Sequence, residues 1–516
     1  MADDGRRMAE DPEPDQTSAI RPLPSAIAKP LVVGILWAWL LFLTLTHYNA
    51  KSPYSYGWAI FGEKSIHLNG AVVNPDALDL QGVFMFFFEA APQWWDRAQN
   101  LSLPTHAFAA SIVAGYVRSY LGANYIVNFL FAAICALAAV NLADKFAIKR
   151  SAALLALLTV FTLPIYVEYL GQPMHYIVGP AASFLIVMSL IAMAPADVRN
   201  PWIAGLATGL MTLNYDPYVF LGAMVVWFLF ISRFASVWGY VAYVIAGALP
   251  RIIWYQFLRW HSHGTMTKHL RQTFVDPVVN GWKEFAQHPF DNALMPFAAT
   301  HAGADVALHQ VIVLVHWPLL AVCVYLLIRQ RPKMHPLIAL LPVFFVLEQL
   351  AAAAFDWEQN PRRAIPVAFA FSIAWVWLAN RVWHLKRWRA AFALLFALNA
   401  VLALGDTLFK NPVMAYIHTG QAIRGAPSEP MRIQKMRLDT TSMPALMQDE
   451  RPIIWNDLGR ARVAKDRRMI FAATQIYQAM LLAALFWLCA RAKILPRWSP
   501  VAVVAIWAIS VAARFR

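Results

Sequence analysis

The chain has 516 residues, of which 59% are hydrophobic and only 14% charged, with a mean hydropathy of +0.49. Soluble domains run near 45–50% apolar and about 25% charged. That excludes a disordered chain and an ordinary soluble enzyme, and lipid is the expected solvent. The formal charge of +14 would suggest nucleic acid in a soluble protein, but many of the basic residues occupy short loops between apolar stretches, where they orient helices.

Residues 1–26 are polar and Pro-rich, without an apolar core before a small-residue cleavage site. They read as a disordered cytoplasmic tail. Apolar runs of helix length follow near 28–47, 123–142, 152–170, 175–195, 202–214, 217–235, 237–257, 308–328, 336–355, 365–382, 389–405, 470–490 and 498–513. The expected fold is therefore an all-α polytopic membrane protein of about 13 transmembrane helices. Its expected parts are a transmembrane bundle over 27–405 with outer loops 48–122 and 258–307, a basic outer loop over 406–469, and a C-terminal hairpin over 470–516.

A cytoplasmic N-terminus puts DKFAIKR (144–150), ADVRN (196–200), ISRF (231–234), RQRPK (329–333), NRVWHLKRWR (380–389) and RAKILPR (491–497) on the inside, and each carries Lys or Arg. Adding one early span would invert them all. The apolar stretch around 105–121 is therefore expected to lie on the outer membrane face as an amphipathic juxtamembrane helix, with His106 and Arg118 at its polar boundary. Cys135, Cys323 and Cys489 fall inside apolar stretches without metal-site spacing and read as packing thiols.

Long outer loops usually carry binding or catalysis. The first holds Glu63, Asp76, Asp79, Glu89 and Asp96, the last two within VFMFFFEAAPQWWDR (83–97), whose aromatic residues place it in the interface. A carboxylate there suits general-base work on an incoming hydroxyl or amine; solvated loop acids are the plain alternative. The stretch 202–214 is too short to cross a core of about 30 Å at 1.5 Å per residue. It ends in Asn214-Tyr215-Asp216-Pro217, where Pro217 disfavours helix at Asp216, so Asp216 is expected to line a cavity or to sit in an Asx-Pro turn. Arg362 and Arg363, in FDWEQNPRRAIP (355–366), suit bidentate capture of an anionic headgroup, or pairing with Asp356 and Glu358. Glu348, inside a span, and Glu168 and Arg251, near the outer ends of theirs, are costly charges that mark a pathway or a structural pair. The third loop ends in basic clusters, KMRLD (435–439) and RARVAKDRR (460–468), of the kind that bind lipid phosphate. There is no Walker loop, dinucleotide glycine pattern or HExxH, which argues against ATP, NAD and zinc-protease chemistry.

Four stretches taken together resemble the lipid-carrier-dependent membrane glycosyltransferases of the C-type fold, such as the bacterial aminoarabinose transferases and the dolichyl-phosphate-mannose protein mannosyltransferases. They are 103–146, a Pro-led juxtamembrane helix before the second span; 151–176, the third span with its outer aromatic turn; GLATGLMTLNYDPYVFL (205–221), a Gly-rich short helix; and NPRRAIPVAFAF (360–371), a late helix beginning near an Arg.

The resemblance implies sugar transfer from a polyprenyl-phosphate carrier to a lipid, glycan or protein acceptor on the outer face of a bacterial-type cytoplasmic membrane. It implies an acid in the first outer loop as base or metal ligand; the nearest acids are Glu63, Asp76 and Asp79, of which Asp79 is favoured and Asp76 second, while Asp216 is a catalytic candidate from its own segment and not from the resemblance. It also implies contact of Arg362 or Arg363 with the carrier phosphate, leaves room for a divalent metal, and calls for no nucleic-acid partner. The chain departs from the family in having no acid in HYNAKSPYSYGW (47–58) and in carrying Asn214-Tyr215-Asp216 where the family has a lysine or similar residue. An inactive or repurposed relative is therefore an alternative. So are a transporter or flippase of a lipid-linked or anionic solute, with Glu348, Asp216 and Arg251 along its pathway, and a noncatalytic assembly subunit.

Overall fold

The structure, a computed structural model, describes residues 28–48, 66–68, 71–73, 104–117, 120–162, 178–214, 236–261, 325, 329, 375–409 and 468–514. Helices α1 (Lys29–Tyr48), α2 (Pro104–Val117), α3 (Tyr120–Lys145), α4 (Arg150–Phe161) and α5 (Val178–Met193) are followed by a single turn, α6 (Pro195–Val198). Then come α7 (Pro201–Asn214), α8 (Val237–His261), α9 (Lys386–Phe409), α10 (Arg468–Arg491) and α11 (Ser499–Arg514). Residues 375–382 are also helical. These positions coincide with the apolar runs of the sequence, because an uninterrupted apolar run in lipid satisfies its backbone only as helix.

Among the described residues, Ile126–Lys145, Val237–Phe257 and Ala472–Arg491 are long and apolar enough to cross a membrane, and Lys29–Leu43, Arg150–Phe161, Ala181–Met193 and Ser499–Ala512 are shorter apolar helices. This is the framework of a membrane-embedded helical protein. Beside the helices, the described residues include two short antiparallel strands, β1 (Ile66–Leu68) and β2 (Ala71–Val73), with Ile66 opposite Val73.

Helix directions follow from the contacts. α1 is antiparallel to α3, since Lys29 bonds Asn141 while the Trp37 indole N–H donates to the Phe129 carbonyl. α5 and α7 are antiparallel, with Ser183 beside Asn214. α7 and α8 run parallel: a Cβ on Gly205 would strike the Tyr243 carbonyl oxygen, and one on Gly209 that of Gly247. The Gly205-x-x-x-Gly209 stripe and Gly247 permit this approach, because in lipid close van der Waals packing takes over from the hydrophobic effect.

One end of the bundle is tied by polar contacts. Asp144 accepts from the Arg150 guanidinium at 2.8 and 3.2 Å and lies 3.9 Å from the Lys29 ammonium. Asn141 donates to the Lys493 carbonyl at 2.9 Å, Arg491 pairs with Asp197, and the Lys149 amide donates to Asn380 at 2.9 Å. The connections 144–150, 196–200, 380–389 and 491–497 thus gather at a single end, as their shared basic character predicts. The turns after α3 and α10 are built alike, with Ala147 and Lys493 at positive φ (53° and 58°) and the Ile148 and Ile494 amides donating five residues back to Ala143 and Cys489.

Candidate functional site

Inside the bundle a polar layer interrupts the apolar packing, centred on α2. This helix has 14 residues, about 21 Å at 1.5 Å per residue, too short to cross a membrane alone. It occurs where the sequence places a juxtamembrane helix, but it is enclosed by the bundle, not laid on its surface. Thr105, His106, Phe108 and Ser111 are all buried, and α2 touches α3, α7, α10 and α11. This corrects the expectation of an amphipathic helix with His106 at a polar boundary; Arg118 lies outside the described residues. Burial is tolerated because the polar side chains of α2 find partners within the protein.

Each partner comes from a different helix. The Thr105 hydroxyl donates to the Leu213 carbonyl at 2.9 Å, and His106 Nε2 meets Asn128 Oδ1 of α3 at 2.9 Å. Desolvation pushes the His106 imidazole down to about 4, with the Asn128 contact opposing. The neutral imidazole is therefore the stable form, with Nε2–H as donor to Asn128. On α10, the Gln478 amide donates to the Phe108 carbonyl at 2.9 Å and to Ser111 Oγ at 2.5 Å, while Ser111 donates to the Phe108 carbonyl at 2.8 Å. On α11, Ser510 donates to the Ile112 carbonyl at 3.0 Å. Phe108, Trp254 and Tyr477 close the layer, Phe108 edge-on to both others and Trp254 stacked on Tyr477.

The carbonyl end of α7 faces this layer. Helix ends leave their last carbonyls unpaired and carry partial negative charge. Here the Leu213 carbonyl is taken by Thr105, and the Thr212 carbonyl faces Arg251 Nη1 at 3.5 Å. Arg251 Nε also donates to the Tyr255 hydroxyl at 3.3 Å, and its guanidinium lies 5.5 Å from the Tyr255 ring centre. Its Nη2 is buried with no acceptor among the described residues, and no described carboxylate pairs with it. The Asn214 amide donates to Ser183 Oγ at 2.7 Å. A positive charge thus stands at the mouth of a helix that stops inside the protein, two residues before Asp216. The arrangement can hold an anion or a carboxylate.

Asp76, Asp79, Glu168, Asp216, Glu348, Arg362 and Arg363, with Cys323, lie outside the described residues. Cys135 and Cys489 are free and buried. Among the described residues no group of His, Cys, Asp and Glu is arranged to hold a metal ion. Sequence reasoning singled out Arg251 but passed over Thr105, Asn128, Ser183 and Gln478. The available signal was an uncharged hydrogen-bonding side chain deep within an apolar run. The chain matches no protein-family model, no curated protein and no solved structure.

Proposed function

We propose that the chain is a polyprenyl-phosphate-sugar-dependent membrane glycosyltransferase of the C-type fold, with about 13 spans and a cytoplasmic N-terminus. It transfers a sugar to a lipid, glycan or protein acceptor on the outer face of the cytoplasmic membrane. The carrier tail lies between helices, its phosphate near Arg362 and Arg363, and the acceptor hydroxyl near the first-loop acids. Asp79, with Asp76 as second candidate, takes the hydroxyl proton as the oxygen attacks the anomeric carbon. The carrier phosphate leaves with the electron pair of the broken bond, inverting that centre.

The observation that carries this reading is Arg251 at the carbonyl end of α7, a cation without a described carboxylate partner inside a membrane-embedded bundle. Such a charge is maintained when an anion of the protein or of a lipid carrier meets it. The test supplies a lipid-linked sugar donor and an acceptor extract to the full chain in vesicles. Arg362→Ala with Arg363→Ala is expected to abolish covalent transfer while the melting profile stays unchanged. Full transfer in that variant rejects the phosphate assignment.

The same intramembrane arginine also favours a second reading, a transporter or flippase of a lipid-linked or anionic solute, with Asp216, Arg251 and Glu348 along its path. Flux across sealed vesicles with no covalent product would establish it in place of the first.

A further inference from the structure

We propose that the end of the bundle where α1, α7, α8, α9 and α11 begin is a docking surface for anionic phospholipid headgroups. This inference is independent of the transferase reading. The described acids at this end, Asp144 and Asp197, are already engaged by Arg150, Lys29 and Arg491. The remaining cations are in excess. Lys386, Arg387 and Arg389 are exposed, and no described carboxylate pairs with them.

Their position sharpens the excess. All three lie in the first turn of α9, which contains no acid, at the positive end of the helix dipole. Cations there are unfavourable. An external anion removes this penalty. The chain just before α9 is tied to the starts of α4 and α1: the Lys149 amide meets Asn380, six residues before Lys386, and Arg150 meets Asp144, which also faces Lys29.

A second, independent feature fixes which anion. Trp202, Trp238, Trp388 and Trp498 each lie within three residues of a helix start at this end. Trp202, Trp238 and Trp498 are 55%, 79% and 66% exposed. Indoles ringing a helical bundle at one level mark the headgroup region of a bilayer. Cations standing among them meet lipid phosphates before any soluble polyanion.

The experiment measures lipid retained by the purified full chain by native mass spectrometry, offered phosphatidylglycerol and phosphatidylcholine of equal chain length. At about five-fold per cation, the native protein is expected to prefer phosphatidylglycerol, and the preference should weaken with rising salt. Lys386→Gln with Arg387→Gln and Arg389→Gln should lower it at least ten-fold, whereas Lys386→Arg with Arg387→Lys and Arg389→Lys should retain it. Equal retention of the two lipids, a preference indifferent to salt, or an unchanged preference in the glutamine variant would overturn the proposal. So would capture of a short RNA or polyglutamate that phosphatidylglycerol does not displace. If the glutamine variant fails to fold, the salt dependence of the native protein decides.

Discussion

Gly209 of α7 faces Gly247 of α8 so closely that a Cβ on Gly209 would overlap the Gly247 carbonyl oxygen. Two parallel helices are thus in backbone contact. Gly209→Ala is expected to force them apart and to cost about 1–3 kcal/mol, the usual range for overpacking. Gly34→Ala is the control. Nothing lies within 4 Å of its Cβ position, so it should be neutral or stabilise α1 by up to about 1 kcal/mol. Thermal unfolding in detergent distinguishes the two, and equal effects would contradict the parallel contact.

Gln478 joins α10 to α2 through the Phe108 carbonyl and Ser111. Gln478→Leu removes both hydrogen bonds at nearly constant volume. Hydrogen bonds between helices in membranes average about 0.6 kcal/mol and reach about 1.7, so a loss of roughly 1–2 kcal/mol is expected. Hydrogen exchange should rise in α2 before it rises in α3.

His106 confers a pH dependence. With its folded-state value lowered to about 4 from an ordinary value near 6.5, the imidazole is neutral in both states above pH 6.5 and contributes nothing there. Between pH 6.5 and 4 the unfolded chain takes up a proton that the folded chain refuses, so stability falls with pH by up to about 3 kcal/mol. Comparing native protein with His106→Gln between pH 7.5 and 4.5 isolates this effect. An identical pH profile in the variant would show that the imidazole is not the group responsible.

Sidedness is open to direct labelling. In a background with its cysteines replaced, Arg199→Cys, Arg387→Cys and Arg497→Cys should react with an impermeant maleimide from one side of sealed vesicles. His261→Cys, at the far end of α8, should react from the other. Labelling of Arg387→Cys and Arg497→Cys from opposite sides would break the single polar end seen in the contacts of Asn380, Lys149, Asn141 and Lys493.

Composition and apolar run lengths were sufficient to mark the helices, because in lipid an apolar stretch satisfies its backbone by itself. The basic character of 144–150, 196–200, 380–389 and 491–497 was sufficient to group these connections, since charge stays where water is. Helix packing was only half legible: GLATG announces a close approach, but not that its partner is Gly247 or that α8 runs parallel. Tertiary structure alone decided that α2 is enclosed by protein. A helix bearing Thr105, His106 and Ser111 looks interfacial until the Leu213 carbonyl, Asn128 and Gln478, contributed by three distant segments, are seen to meet its polar groups. Hydrogen-bond satisfaction depends on neighbours in space, and hydropathy along the chain carries no record of them.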